Sequence, residues 1–112
     1  MLTTEQLERL HRASRQGKTV THKLKRGTGR EVVGVVVDEV YIIVADYKHM
    51  IQKIRFPDDA RWGGNEFAYR AGYYTYDAST KHIKWGQYTP VLTESQYREL
   101  LQKAKEKGWA IL

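Results

Sequence analysis

The sequence predicts an α+β fold: about six strands in an antiparallel meander, able to curl into a partial barrel, flanked by an N-terminal and a C-terminal helix. Three observations carry this. Helical apolar stripes stand at the two ends of the chain, at Leu7 and Leu10 and again at Tyr97, Leu100, Leu101 and Ala104. Between them, runs of Val, Ile, Thr and Tyr are separated by short breaks rich in Gly, Asp and Pro. No repeat or linker divides the 112 residues, a length sufficient for one core, so residues 1–112 are expected to form a single domain.

Taken in order, Thr3 or Thr4 can cap a first helix through Leu7, Leu10 and Ser14, with Gly17 as its stop. Thr19–Lys25 alternates, Arg26-Gly27-Thr28-Gly29 reads as a hairpin turn, and Glu31–Val37 is nearly all valine. Asp38-Glu39 reads as the next break, before an apolar strand over Val40–Ala45. Continuous apolar runs of this kind mark strands covered on both faces. Met50–Phe56 is a fourth strand with Met50, Ile54 and Phe56 on one side, and residues 57–65 form a breaker-rich loop. Glu66–Tyr76 and Lys81–Tyr88 pair over Asp77-Ala78-Ser79-Thr80. The capping box Thr93-Glu94-Ser95-Gln96 opens the last helix and Gly108 closes it.

Registers follow from these turns. Pairing Val37 with Val40 sets Glu31 across from Asp46, and pairing Lys25 with Arg30 sets His22 across from Val33. Pairing Tyr76 with Lys81 sets Tyr74 against Ile83 and lets Trp85 lie over Gly72. A slip of one residue would turn every side chain to the other face.

The net charge of +6 is localised. Residues 1–30 hold eight Lys and Arg against Glu5 and Glu8, and residues 31–112 hold eleven of each sign. A basic patch confined to a quarter of the chain is the electrostatic footprint of a polyanion binder. No apolar run approaches the ~20 residues of a membrane span, so no membrane partner is expected. The N-terminal stretch is polar and helical rather than a signal peptide. With no cysteine, disulfides and thiolate metal sites are excluded, and a cytoplasmic setting is the expectation.

Asp46-Tyr47-Lys48, at the end of an apolar run, is similar to the D-x-K that closes a strand in many metal-dependent nucleases. That chemistry needs two carboxylates on one ion and a lysine near the attacking water. Asp38 is eight residues from Asp46 along one expected strand, ~26 Å at ~3.3 Å per residue, and cannot share the ion. Glu31 can, in the register above, giving Glu31, Asp46 and Lys48 as a catalytic set. His49 and His82 are a second set, as acid and base on RNA. The four histidines show no metal-ligand spacing, and no resident metal or cofactor is expected.

The same stretch resembles another family. Tyr47-Lys48-His49-Met50-Ile51-Gln52-Lys53-Ile54 is similar to the Y-K-H-A-I-S-T-I segment of the bacterial Hfq family, matching at Tyr47, Lys48, His49, Ile51 and Ile54. The likeness covers roughly residues 5–56, including a leading helix, a glycine turn, Gly34 and Asp38 before an apolar strand. It implies an RNA-contacting role for Lys48 and His49 at subunit contacts of a ring. The sequence departs from that pattern where only Ala45 and Asp46 separate Val44 from Tyr47, leaving no room for a second hairpin, and no family is assigned.

Aromatic residues crowd the last hairpin. One face reads Arg70, Gly72, Tyr74, Tyr76, Ile83 and Trp85, and the other Phe67, Tyr69, Tyr73, His82 and Lys84. One must be core, and the other interleaves rings with cations as stacking platforms for single strands do. The leading expectation is a non-catalytic nucleic-acid-binding protein, taking RNA or single-stranded DNA. Its phosphate contacts would come from Arg9, Arg12, Lys23, Lys25, Arg26 and Arg30, and its base contacts from Arg70, Tyr74, Tyr76 and Trp85. A nuclease and a protein-interaction module with an aromatic face are the alternatives. A homo-oligomer or protein partner is expected from the sheet edges.

Overall fold

A computed structural model describes residues 2–23, 31–56, 67–86 and 91–109, with the side chains of residues 22, 23, 31 and 32 excepted. Its elements are α1 (Thr4–Arg12), β1 (Thr19–Lys23), β2 (Glu31–Val44), β3 (Tyr47–Arg55), β4 (Phe67–Asp77), β5 (His82–Gly86) and α2 (Glu94–Glu106). The architecture is α+β, with a helix at each end of the chain and one antiparallel meander in the order β1-β2-β3-β4-β5. The described sheet has five strands rather than six, because the two strands expected over Glu31–Ala45 are one. The chain divides into two compact units, Met1–Ala13 with Val40–Ile51 and Ala71–Leu112, and Ser14–Glu39 with Gln52–Arg70. No described helix is long and apolar enough to cross a membrane.

Asp38-Glu39 does not turn the chain. Val36 clusters with Ile54 and Phe56, while Glu39 accepts a hydrogen bond from Gln52 Nε2 at 2.8 Å. Gln52, Ile54 and Phe56 share one side of β3 by alternation, so Val36 and Glu39 share one side of β2 although they are an odd number of positions apart. The alternation is therefore broken between Val36 and Glu39, as a β-bulge breaks it, and the Asp38 carboxylate takes the Glu39 N–H at 2.9 Å. The true reversal is the two-residue turn Ala45-Asp46, where Ala45 adopts φ 52°.

The first register also moves by one residue. His22 lies opposite Val32 rather than Val33, and Val20 opposite Gly34. Val20 accordingly joins Val36 in the core while Val33 is 58% exposed. Gly34 is required here: a Cβ would sit 2.7 Å from both Ile54 and Phe56.

β3 is the middle strand, and Lys48 through Gln52 are buried without interruption, as expected of a strand covered on both sides. In the first unit Leu10 packs with Met50 and Tyr74, joined by Leu7, Tyr41, Ile43, Ile83 and Trp85. Helix α1 begins with a Thr3–Gln6 capping box and ends at Ala13, short of Gly17, which sits in the following turn at φ 82°. Helix α2 begins with the expected Thr93–Gln96 box. It closes on Gly108 at φ 77°, where Gly108 N–H reaches Lys105 O and Trp109 N–H reaches Ala104 O. That Schellman pair satisfies the last carbonyls and folds Trp109 inward, 6% exposed.

Candidate nucleic-acid interface

Because Leu10 points into the core, the cations of α1 face away from it. Arg12 is exposed. Arg9 is half-buried, with its guanidinium 5.5 Å from the Tyr76 ring centre and Nη2 donating to Lys81 O at 3.3 Å. Lys18 is exposed beyond the helix. Lys23 ends β1, opposite Glu31. Lys25, Arg26 and Arg30 lie outside the described residues.

The last hairpin pairs Tyr74 with Trp85 and Tyr76 with Ile83, two residues off the expected register, which preserves the faces. The residue that reverses the chain is Lys81, at φ 60°. Tyr74 is 6% exposed in the core, edge-on to Trp85 at 4.9 Å. Tyr74 is therefore no stacking surface for a base, which corrects the expectation for that residue, while Trp85 is partly buried against it. Trp85 does lie over Gly72, where a Cβ would meet its ring at 2.3 Å. Tyr76 remains half-exposed beside Arg9. Arg70 is turned inward, with Nε and Nη2 donating to Gln52 Oε1 at 2.9 and 2.5 Å.

The accessible rings are on the opposite face. Tyr47, 44% exposed, stacks on His49 at 6.0 Å and meets Tyr73 edge-on at 5.5 Å. Tyr73 covers Gly86, whose Cβ would lie 2.3 Å from the phenol. Lys84 on that face is bonded to Asp77, which also accepts from Ser79. The Lys84 ammonium, followed by the Ser79 bonds, holds the Asp77 carboxyl well below the usual range. Tyr47 and Tyr73 alternate with Lys48 and Tyr74, which face α1, so the basic helix and the exposed aromatic cluster lie on opposite sides of the sheet in this unit.

The nuclease set is not assembled. β2 runs unbroken from Glu31 to Val44, with Asp46 in the turn beyond. Glu31 and Asp46 thus stand at opposite ends of a 14-residue strand. Lys48 is only 2% exposed; its Nζ donates to His11 O at 2.7 Å and to Ala13 O, and lies 4.1 Å from the Tyr41 ring centre. It holds the negative end of α1 and cannot serve water or RNA. His49 is 7% exposed, and burial lowers its pKa. His49 packs on Tyr73, which pairs with Gly86, while His82 is four residues further along β5, about 13 Å at ~3.3 Å per residue. The two histidines are not brought together. Among the described residues no three His, Asp or Glu side chains are grouped to hold a metal.

Sequence reasoning missed a buried polar network in the second unit. Glu39, buried, accepts from Ser14 Oγ, from Arg15 N–H at 3.3 Å and from Gln52 Nε2. Gln52, fully buried, passes the connection to Arg70. The neutral amide thus spaces a carboxylate from a guanidinium across β2, β3 and β4. The signal available in the sequence was Gln52 itself, a polar residue at a core position between Met50 and Ile54.

No family model matches the chain, and no match is found among curated proteins or solved structures.

Proposed function

We propose that this protein binds single-stranded nucleic acid, RNA or DNA, through the positively charged surface of α1 and the segment that follows it. The observation that supports the reading most is the Tyr76 ring beside Arg9, which with exposed Arg12 belongs to the quarter of the chain that carries the whole charge excess. Guanidinium planes and phenol rings both stack on unpaired bases, and neighbouring cations take the phosphates. Tyr74, in the core, has no part in it. Binding of this kind releases counterions and weakens steeply with salt.

The test is fluorescence anisotropy with a labelled single-stranded oligonucleotide over a range of salt. Replacing Lys25, Arg26 and Arg30 together by Ala is expected to flatten the slope of log K against log salt by about 0.7 for each phosphate no longer neutralised. Tyr76→Ala is expected to weaken binding by ~1–3 kcal/mol and leave that slope alone. Affinity and slope unaltered in both variants would refute the reading. The exposure of Tyr47, packed on His49 and Tyr73, favours a second reading in which that opposite face meets a protein, including another copy of this chain. Light scattering that shows self-association in the parent and none in Tyr47→Ser would support it.

A further inference from the structure

In the second unit Val20 of β1, Val36 of β2, Ile54 of β3 and Ala68 of β4 pack together on one side of the sheet. Alternation therefore puts their neighbours along each strand on the other side. That outer face carries Thr21 opposite Val33, then Lys53 and Arg55, then Phe67 and Tyr69. It is open to solvent: Thr21 and Arg55 are exposed, Val33 is 58% exposed and Phe67 47%. Among the described residues this unit, Ser14–Glu39 with Gln52–Arg70, contains no helix of its own to cover the face.

The charges at these positions, Lys53 and Arg55, are both positive. The two rings stand two residues apart on β4, ~7 Å at ~3.3 Å per residue. The Lys53 ammonium lies 4.1 Å from the centre of the Phe67 ring, so a cation and an exposed ring sit side by side. An unpaired nucleotide is a flat ring joined to a phosphate, and such a pair matches both of its parts. Exposed rings on a four-stranded sheet are a general means of stacking two or three bases. A protein partner would have to bring carboxylates to both cations or leave them buried without an anion, whereas a phosphate backbone supplies an anion at every step.

We propose that the outer sheet face of the second unit is a further surface for single-stranded nucleic acid, with Phe67 and Tyr69 stacking on bases and Lys53 and Arg55 taking phosphates. The proposal rests on the reading that the chain binds single strands, and it adds to the α1 surface residues that the reading does not include.

Two labelled probes separate bases from phosphates: an oligothymidylate and an abasic oligodeoxynucleotide of the same length. Both are titrated against the full chain by fluorescence anisotropy, and the methyl resonances of Val33 and Val36 are followed by NMR. Ring currents of stacked bases are expected to move the Val33 methyls, on this face, and to leave those of fully buried Val36 in place. Phe67→Ser is expected to weaken the oligothymidylate by at least about fivefold, the worth of one stacked base, and to leave the abasic strand unaffected. Lys53→Gln with Arg55→Gln is expected to weaken both probes and to flatten the salt slope by about 0.7 for each phosphate released. A parent that binds oligothymidylate with the Val33 methyls unmoved overturns this proposal and leaves the α1 surface standing. So does a folded Phe67→Ser protein that binds oligothymidylate as the parent does, or that loses the two probes alike, or that loses only self-association in light scattering. A parent that binds neither probe overturns both readings. The Val33 shifts decide the matter in the parent alone where Phe67→Ser does not fold.

Discussion

Replacing Lys48 by Met keeps the length of the side chain and deletes its charge, and so asks what the buried ammonium does. In the folded protein it donates to His11 O and Ala13 O and sits over the Tyr41 ring. Hydrogen bonds from a charged donor contribute ~1.5–3 kcal/mol each, and a desolvated cation–π contact adds up to ~2 kcal/mol. Burying the ammonium costs several kcal/mol, which Met avoids. What Met cannot avoid is two carbonyls at the end of α1 facing a thioether, at ~1–3 kcal/mol each unless the turn frays to reach water. The balance is a loss of about 2 kcal/mol, most of it at the end of α1. In urea, with a slope of ~1–3 kcal/mol per molar, the midpoint is expected to fall by about 1 M at unchanged slope. Hydrogen exchange should quicken first in the amides of α1. A Lys48→Met protein as stable as the parent, with α1 equally protected, would refute the account of Lys48 as the clasp of that helix.

Gly72→Ala places a methyl where the Trp85 ring lies; the expected cost is ~1–3 kcal/mol, read as a lower melting temperature with a red shift of tryptophan emission. His49 gives a pH dependence whose sign is fixed by burial. Its folded pKa is lowered, so the unfolded chain takes up the proton first, near pH ~6.5. Stability should therefore be greatest above that value and decline as pH falls toward the folded pKa. Urea midpoints between about pH 5 and 8 should show the decline in the parent and a smaller one in His49→Phe; parallel curves would count against it.

What the sequence reveals about this protein is mostly local. The Thr93–Gln96 capping box, the cap at Thr3, the existence of a helix at each end and the side of β3 bearing Met50, Ile54 and Phe56 rest on near neighbours and are found where spacing puts them, while α1 stops at Ala13 instead of Gly17. The strand count depends on partners far along the chain. Asp38-Glu39 reads as punctuation because a carboxylate in a valine run has no local excuse; its partners are Ser14, Arg15 and Gln52. The real turn is disguised in the opposite way, since Ala45 takes a positive φ usually given to Gly or Asn. In the last hairpin, alternation yields two faces but does not rank them. The landing of Leu10 on Tyr74 decides that Tyr74 is core and Tyr73 is not. Lys48 misleads for a related reason: a lysine at a strand start reads as a solvent group, and its acceptors are backbone carbonyls 35 and 37 residues away.

The broken alternation in β2 gives that strand a phase. Before it, the even-numbered Gly34 and Val36 look toward Ile54 and Phe56; after it, the odd-numbered Glu39, Tyr41 and Ile43 take the side on which Gln52 and Met50 lie, and Val40 and Ile42 are buried on the other. Removing one residue at Val37 or Asp38 would shorten the strand by a single step and invert everything on one side of the cut. Glu39 would leave Gln52, and the ring beneath Lys48 would be exchanged for an aliphatic neighbour. Two acidic residues that look like a place to end a strand thus act as its frame-shift, and the length of this stretch is constrained more tightly than its composition.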